Sequence, residues 1–455
     1  MGTAPFDLLI FGTGSGNSIL TPDFDDWKVA IIEEGAFGGT CLNRGCVPTK
    51  MFVYVADLVS SVAHASRLGL DADVRGVRWR DLRDRVFDRI DPIAHSGEDY
   101  RTNRCHNVTV FKGHGRFVGP KAVAVGGHVV EAERVVIAAG GRPSIPSIPG
   151  LAEAGYFTSD DIMRIDDVPR RLAILGGGFI GCEMAHVFGA FGSTVTLLTR
   201  GPQPLRSEDH DVRARFLERA RERFDVRTTE RVREVRRTVT GVRLMLENSP
   251  DVEADAVLIA TGRLPNSDQL GLAEVGFELQ PDGRVVVDEQ QRTNVAGVFA
   301  LGDISSPYAL KHVANHEARV VAHNLIHPDR PRSTDHRFVP HAVFSDPQIA
   351  AVGLTEEEAW AAGIDVLVAS RPYGDTAYGW AMEDEWGFCK LVADRSTRRL
   401  VGAHLIGPYS SMLIQQLIQG MTFGQTIDEM AHGQYYTHPA LPEVVENALL
   451  GFPPA

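Results

Sequence analysis

The sequence predicts an α/β fold with two Rossmann-like dinucleotide-binding domains. Three observations predict it. The chain has 455 residues, more than one hydrophobic core usually organises, so several domains are expected. An apolar run leads into a glycine-rich turn twice, at Phe6–Gly16 and again at Arg171–Gly181. Apolar residues make up 44% of the chain and charged residues 23%, the balance of an ordinary globular protein.

Phe6–Phe11 reads as a strand that enters Gly12-Thr13-Gly14-Ser15-Gly16-Asn17. A second run, Val29–Ile32, ends at Glu33 and Glu34. Strand, glycine turn, helix, strand and acid form a dinucleotide site. Gly12, Gly14 and Gly16 let the backbone approach a pyrophosphate, the helix N-terminus holds it, and Glu33 accepts ribose hydroxyls. Asn17 takes the place of the third glycine, and Pro22 limits the helix that follows.

Next comes Gly38-Gly39-Thr40-Cys41-Leu42-Asn43-Arg44-Gly45-Cys46, followed by a helix-like run. The C-x4-C spacing permits a disulfide if the first helical turn brings Cys46 beneath Cys41. A helix N-terminus favours thiolate, so the pair is expected to be reactive, and the Arg44 charge is expected to lower a thiol further. Met51–Leu70 continues the helix, with Phe52, Val55, Val59 and Val62 at core spacing. Around Trp79–Tyr100 a polar helix offers His95, Glu98 and Asp99, read as a solvated face.

The proline-rich stretch Pro143–Pro149 reads as a domain crossing. Beyond it, Gly176-Gly177-Gly178-Phe179-Ile180-Gly181 has all three fingerprint glycines, Gly176, Gly178 and Gly181. The strand Thr194–Leu198 ends without an acid, and Arg200 and Arg206 follow it. Arginines there suit a 2′-phosphate and therefore NADPH. Phe179 is read as a cover for the nicotinamide pocket or a core aromatic. Thr293–Asp303 reads as an apolar strand ending in Gly-Asp, where Asp303 could bond a flavin's ribityl chain or cap the next helix.

A net charge of -13 argues against non-specific nucleic-acid binding. Five cysteines are too few for a secreted disulfide framework. Cys105, Cys182 and Cys389 read as small buried hydrophobes, and no His/Cys cluster has metal-ligand spacing. Met1–Asp7 lacks a leader pattern and no run approaches a membrane span of about 18 apolar residues, so a cytoplasmic location is expected.

Along essentially the whole chain these motifs, with His438-Pro439 and Glu443, resemble the glutathione-reductase-like flavoprotein disulfide reductases. Gly12–Leu20, Arg89–Arg101, Lys311–Val321, Tyr378–Asp384 and His438–Gly451 are similar to the branch that reduces mycothione. Arg44 stands where the family usually carries valine. The resemblance implies an FAD-binding domain at 1–150 and an NADPH-binding domain at 151–268. A central domain at 269–336 would complete the FAD site, and 337–455 would be an α+β dimerisation domain. It places Gly39, Thr40 and Gly140 among the cofactor-binding residues, and pairs Lys50 with Glu183 beside the flavin. Electrons would pass from NADPH through FAD to Cys41/Cys46 and on to a small-molecule disulfide. Cys46 would face the flavin and Cys41 would attack the substrate. In a homodimer, His438 and Glu443 would come from the other subunit as acid/base and orienting carboxylate.

The nearest alternative is a dihydrolipoamide dehydrogenase, whose acid at the second strand end is missing. Mercuric and high-molecular-weight thioredoxin reductases need a further cysteine pair, which Ala448–Ala455 lacks. A flavoprotein redox sensor without turnover is a third reading, opposed by Cys41, Cys46, His438 and Glu443 occurring together.

Overall fold

A computed structural model describes residues 5–454, so Met1–Ala4 of the N-terminal stretch and Ala455 lie outside the described residues. The chain forms two compact units. One comprises Met1–Thr49, Asp81–Ser144 and Gly262–Asp335, the other Lys50–Arg80, Ile145–Thr261 and His336–Ala455.

The first unit is built on a seven-stranded sheet. Val108–Lys112, Val29–Glu33, Phe6–Phe11 and His128–Ile137 lie side by side and parallel, with Val298–Ala300 parallel on the far side of His128–Ile137. Ala122–Val125 and Arg116–Gly119 extend the sheet antiparallel from His128–Ile137. The two-residue period of a strand sends Leu9, Phe11 and Ile32 into one core layer, and Leu8, Ile10 and Ile31 into the other. The second layer is covered by Ala318, Val321 and Leu325 of the helix Lys311–Ile326.

Two expectations change here. No full helix follows the first glycine turn. The chain makes only the 3-10 turns Gly16–Ile19 and Pro22–Phe24, because Pro22 lacks an N–H and disfavours a helical residue before it. The strand expected over Thr293–Asp303 is limited to Val298–Ala300, and Asp303 lies in the following 3-10 turn Gly302–Ile304.

In the second unit, Asp225–Arg227, Thr194–Leu198, Arg171–Leu175, Ala256–Ile259 and Phe157–Thr158 form a five-stranded parallel sheet. A separate five-stranded antiparallel sheet runs His341–Val343, Ile349–Gly353, Arg399–Ile406, Phe388–Asp394, Val366–Pro372. Helices Ser410–Thr422 and Pro442–Leu450 close its core through Leu413, Leu417, Val444 and Val445.

The helix Cys46–His64 carries the chain from the first unit into the second. Phe52 is buried and stacks on Trp79 at 5.1 Å, whereas Val55, Val59 and Val62 are half-buried and Tyr54 and Leu58 are exposed. By length and composition the run Gly39–Leu68 could cross a membrane, contrary to the expectation from sequence, and 28% of its most apolar window is buried within the protein. Its charges are engaged within the second unit: Lys50 pairs with Glu183 at 2.9 Å and Asp57 with His186 at 2.8 Å.

A buried ion cluster ties the loop after Thr194–Leu198 to the antiparallel sheet. Lys390, 2% exposed, reaches Asp209 at 2.9 Å, Asp211 at 2.7 Å and Glu356 at 2.6 Å. Burial would lower the Lys390 ammonium, but hydrogen bonds to the three carboxylates raise it well above an ordinary lysine. Removing the cation leaves carboxylates uncompensated in a poorly solvated place. Lys390→Met is therefore expected to lose about 3–5 kcal/mol in urea unfolding. A loss below about 1 kcal/mol would place the cluster in effectively solvated surroundings.

Candidate active site

In the first unit the glycine turn is shaped by close backbone approach. Gly12 has φ +96°, and a Cβ there would run into the Ala138 carbonyl. Gly14 faces Gly39 so closely that a Cβ on Gly39 would lie 2.7 Å from the Gly14 Cα. Gly16 packs against Ala138 and Ile10. At Gly140, φ +64°, a Cβ would meet no protein atom within 4 Å, so open space adjoins the turn. Glu33 ends its strand at this turn: one carboxylate oxygen accepts from the Thr13 N–H at 2.8 Å and hydroxyl at 2.6 Å, the other from Gly35 N–H at 2.8 Å. A carboxylate offers about four acceptor sites, so capacity remains for ribose hydroxyls. Asn17 is tied up instead, its side-chain oxygen accepting from Arg101 Nε at 2.9 Å. Asp303 is half-buried and ion-paired with Arg263 at 3.8 Å. A glycine turn with open space beside Gly140 and carboxylate acceptors on one unit fit a dinucleotide such as FAD.

Behind Asp303 lies a residue that sequence reasoning did not single out. Glu317, 1% exposed, accepts from the Gly302 N–H at 2.7 Å. Burial pushes its carboxyl up to about 7, with the Asp303 charge adding to the effect and bonds from Gly302 and Ser306 opposing it.

Thr40 and Cys41 sit in a one-turn helix, Gly39–Asn43, held by Asn43, whose amide donates to the Phe37 and Gly39 carbonyls. Cys46 opens the helix Cys46–His64. Both cysteines are free thiols, and Cys41 is hydrogen-bonded to Cys46. The Cys41 thiol is pushed up rather than down. The bond to Cys46 is the largest cause, burial is next, and the negative charge of Cys46 adds to both, while Lys311 pulls the other way. The expected helix-terminus activation is thus overridden at Cys41 by the other sulfur, and Lys311 is a cation that favours its ionisation.

Within the second unit, the Lys50 ammonium bonds Glu183 Oε1 at 2.9 Å and lies 3.7 Å from the centre of the Phe344 ring. The Phe344 N–H donates to the same Glu183 oxygen at 3.0 Å. The second glycine turn repeats the tight geometry. Gly176 has φ +119° beside the Ala260 carbonyl, Gly181 packs on Gly176, and Gly178 opens onto free space. Leu205 N–H bonds Gly177 O at 2.7 Å, which folds the arginine loop back on this turn. Arg200 and Arg206 are exposed, and among the described residues neither is in an ion pair. Glycine amides beside free guanidinium groups fit a phosphorylated dinucleotide. Phe179 is 45% exposed, which favours a pocket cover over a core role.

His438 and Glu443 meet as expected. Nδ1 lies 2.6 Å from Glu443 Oε1, in the first turn of Pro442–Leu450. With Nδ1–H donating to the carboxylate, Nε2 is the ring nitrogen left to exchange protons. The His438 side chain is 71% exposed, so that nitrogen is accessible. His95 is exposed, Glu98 pairs with Lys112 and Asp99 with Arg104, in keeping with a solvated face. Cys182 and Cys389 are buried, and Cys105 is half-buried beside Arg101.

Residues 6–318 match the family described as pyridine nucleotide-disulphide oxidoreductase, and residues 339–449 match its dimerisation domain. The chain is 53% identical to mycothione reductase of Mycobacterium tuberculosis over 98% of its length and 99% of that protein. It is 35% identical to glutathione reductase of Burkholderia cepacia, covering 90% of this chain and 91% of that one. Its fold matches the HOCl-induced flavoprotein disulfide reductase RclA of Escherichia coli with a TM-score of 0.87 and 27% identity, over 98% of this chain and 99% of that one.

The Glu317 carboxyl generates a pH prediction. Its folded-state value of about 7 exceeds the ordinary 4.5, so the folded protein binds the extra proton between those values. Stability is then fully present below pH 4.5 and falls as pH rises to about 7. Glu317→Gln keeps an acceptor and abolishes the titration. Its melting temperature should gain on the wild type across that window and run parallel above it; a constant difference throughout would refute the assignment.

Proposed function

The chain belongs to the pyridine nucleotide-disulphide oxidoreductases, and from that premise we propose that it reduces mycothione to two molecules of mycothiol. The near full-length similarity to mycothione reductase carries the substrate assignment. The enzyme is a flavoprotein disulfide reductase and a homodimer, with FAD and NADPH as cofactors. When bound, these supply the two electrons and proton that open a Cys41–Cys46 disulfide.

Gly12, Gly14, Gly16, Glu33, Gly39, Thr40, Gly140 and Asp303 would hold FAD. Asn17 would belong to the same site, its side chain positioned by the bond from Arg101. Gly176, Gly178 and Gly181 with Arg200 and Arg206 would hold NADPH. Lys50, held by Glu183, would supply a positive charge to the bound flavin. Cys46 would face the flavin. Cys41 attacks the substrate disulfide once its proton is taken, and the partner subunit's His438 carries that proton to the departing thiol while Glu443 fixes its ring. The exposed Nε2 of the dyad supports a role toward a second chain, as do the exposed Tyr409, Met412 and Tyr435 in the dimerisation region.

This reading keeps the four-part division at 1–150, 151–268, 269–336 and 337–455. It also places the enzyme in the cytoplasm, with neither nucleic acid nor membrane as partner, which the net charge of -13 supports for nucleic acid. NADPH oxidation assayed against mycothione, glutathione disulfide and lipoamide tests the assignment. Mycothione should be preferred in kcat/KM by at least about tenfold, a difference of roughly 1.4 kcal/mol in transition-state binding. Preference for either other disulfide would overturn it.

A further inference from the structure

Lys311 is the first residue of the helix Lys311–Ile326, where the macrodipole already places positive charge and a cation is disfavoured. Among the described residues no carboxylate pairs with it. Its ammonium instead donates to the Ser15 hydroxyl at 2.9 Å, and Ser15 donates to Asn315 Oδ1 at 3.0 Å. Lys311 and Asn315 are four residues apart on one helix face, so the helix clamps Ser15 from two positions. Ser15 follows Gly14, which abuts Gly39 at backbone distance, and Cys41 is two residues beyond Gly39. A chain of direct contacts therefore runs from the lysine through the glycine turn to the cysteine loop.

A negative charge has to be accommodated at this place. One hydride equivalent from NADPH brings two electrons and one proton, so breaking the S–S bond leaves one sulfur protonated and the other as thiolate. For turnover Cys41 must then lose the shared proton, form a bond to one substrate sulfur and expel the other, which takes up a proton. Negative charge grows on Cys41 in that step, opposed by the charge already on Cys46.

We propose that Lys311 is a charge-setting residue of the redox centre, its ammonium anchored on Ser15 so that Cys41 can ionise beside Cys46. The proposal rests on the disulfide-reductase reading above. Cys46 and Lys311 both act on the Cys41 sulfur, the Cys46 charge opposing its ionisation and the Lys311 charge favouring it. The partner subunit's His438 would join them in the working dimer.

The test is alkylation of Cys41 by iodoacetamide in the reduced, FAD-loaded enzyme, followed against pH and resolved from Cys46 by peptide mass. Lys311→Gln keeps a donor for Ser15 but removes the charge. It should raise the apparent Cys41 pKa and slow alkylation at neutral pH about three- to tenfold. Lys311→Arg should titrate like the wild type. A Lys311→Gln titration equal to wild type, or a Lys311→Arg titration displaced as far as Lys311→Gln, would overturn the proposal. If Lys311→Gln fails to retain flavin, Ser15→Ala, which releases the anchor and keeps the charge, should slow alkylation to a smaller extent, and an unchanged rate would overturn it. No disulfide substrate enters the measurement, so a failure of the mycothione assignment leaves this result readable.

Discussion

The hydrogen bond between the Cys41 and Cys46 sulfurs is the interaction on which the rest of the chemistry depends. Two thiols this close cannot both ionise freely, because the first thiolate accepts the proton of the second and repels its charge. A pair of this kind stores one negative charge easily and a second only with help. The short helix Gly39–Asn43 and the helix beginning at Cys46 keep the sulfurs together, and the Asn43 amide locks the intervening loop by bonding carbonyls on its own upstream chain.

Each unit brings its own solution to a charge. The first unit surrounds the cysteine loop with backbone amides of a glycine turn and a lysine anchored on Ser15. Its buried Glu317 supports the Gly302–Asp303 turn from behind. The second unit neutralises Lys50 with Glu183 and places an aromatic ring beneath the ammonium. It also fixes the arginine loop by a buried ion cluster around Lys390, three residues beyond Arg206 at Asp209. In the same unit Glu443 orients His438 through Nδ1. Glu317 and Lys390, the buried ones among these groups, are costly to bury, and each has hydrogen-bond partners that offset the cost.

Much of this was legible in the sequence because the motifs are local. Glycines at turns reveal where a Cβ cannot fit, and Gly12, Gly176 and Gly181 bear that out. The Lys50–Glu183 and His438–Glu443 pairs came from family resemblance, and the contacts exist. What was not legible depends on distant packing. Lys311 meets Ser15 across 296 residues of chain, a contact that neither segment reveals locally. Glu317 is one more charge on a helix until its burial behind Gly302 is known. The helix expected after the first turn fails for a local reason: Pro22 lacks an N–H and disfavours a helical residue before it, leaving only two 3-10 turns. A lysine at a helix's first position was the one available sign of Lys311.

The central claim is that a cysteine pair on one chain is completed by the histidine–glutamate dyad of another. Mixed dimers test it most directly. Subunits carrying Cys41→Ser and subunits carrying His438→Ala are each purified, shown to be inactive alone, then dissociated and reassociated together. If the site is shared, a mixed dimer holds one intact site and one doubly damaged one, and statistical exchange should restore about one quarter of the wild-type rate. No recovery, in a mixture shown to contain mixed dimers, would mean that each chain uses its own histidine and would contradict the account.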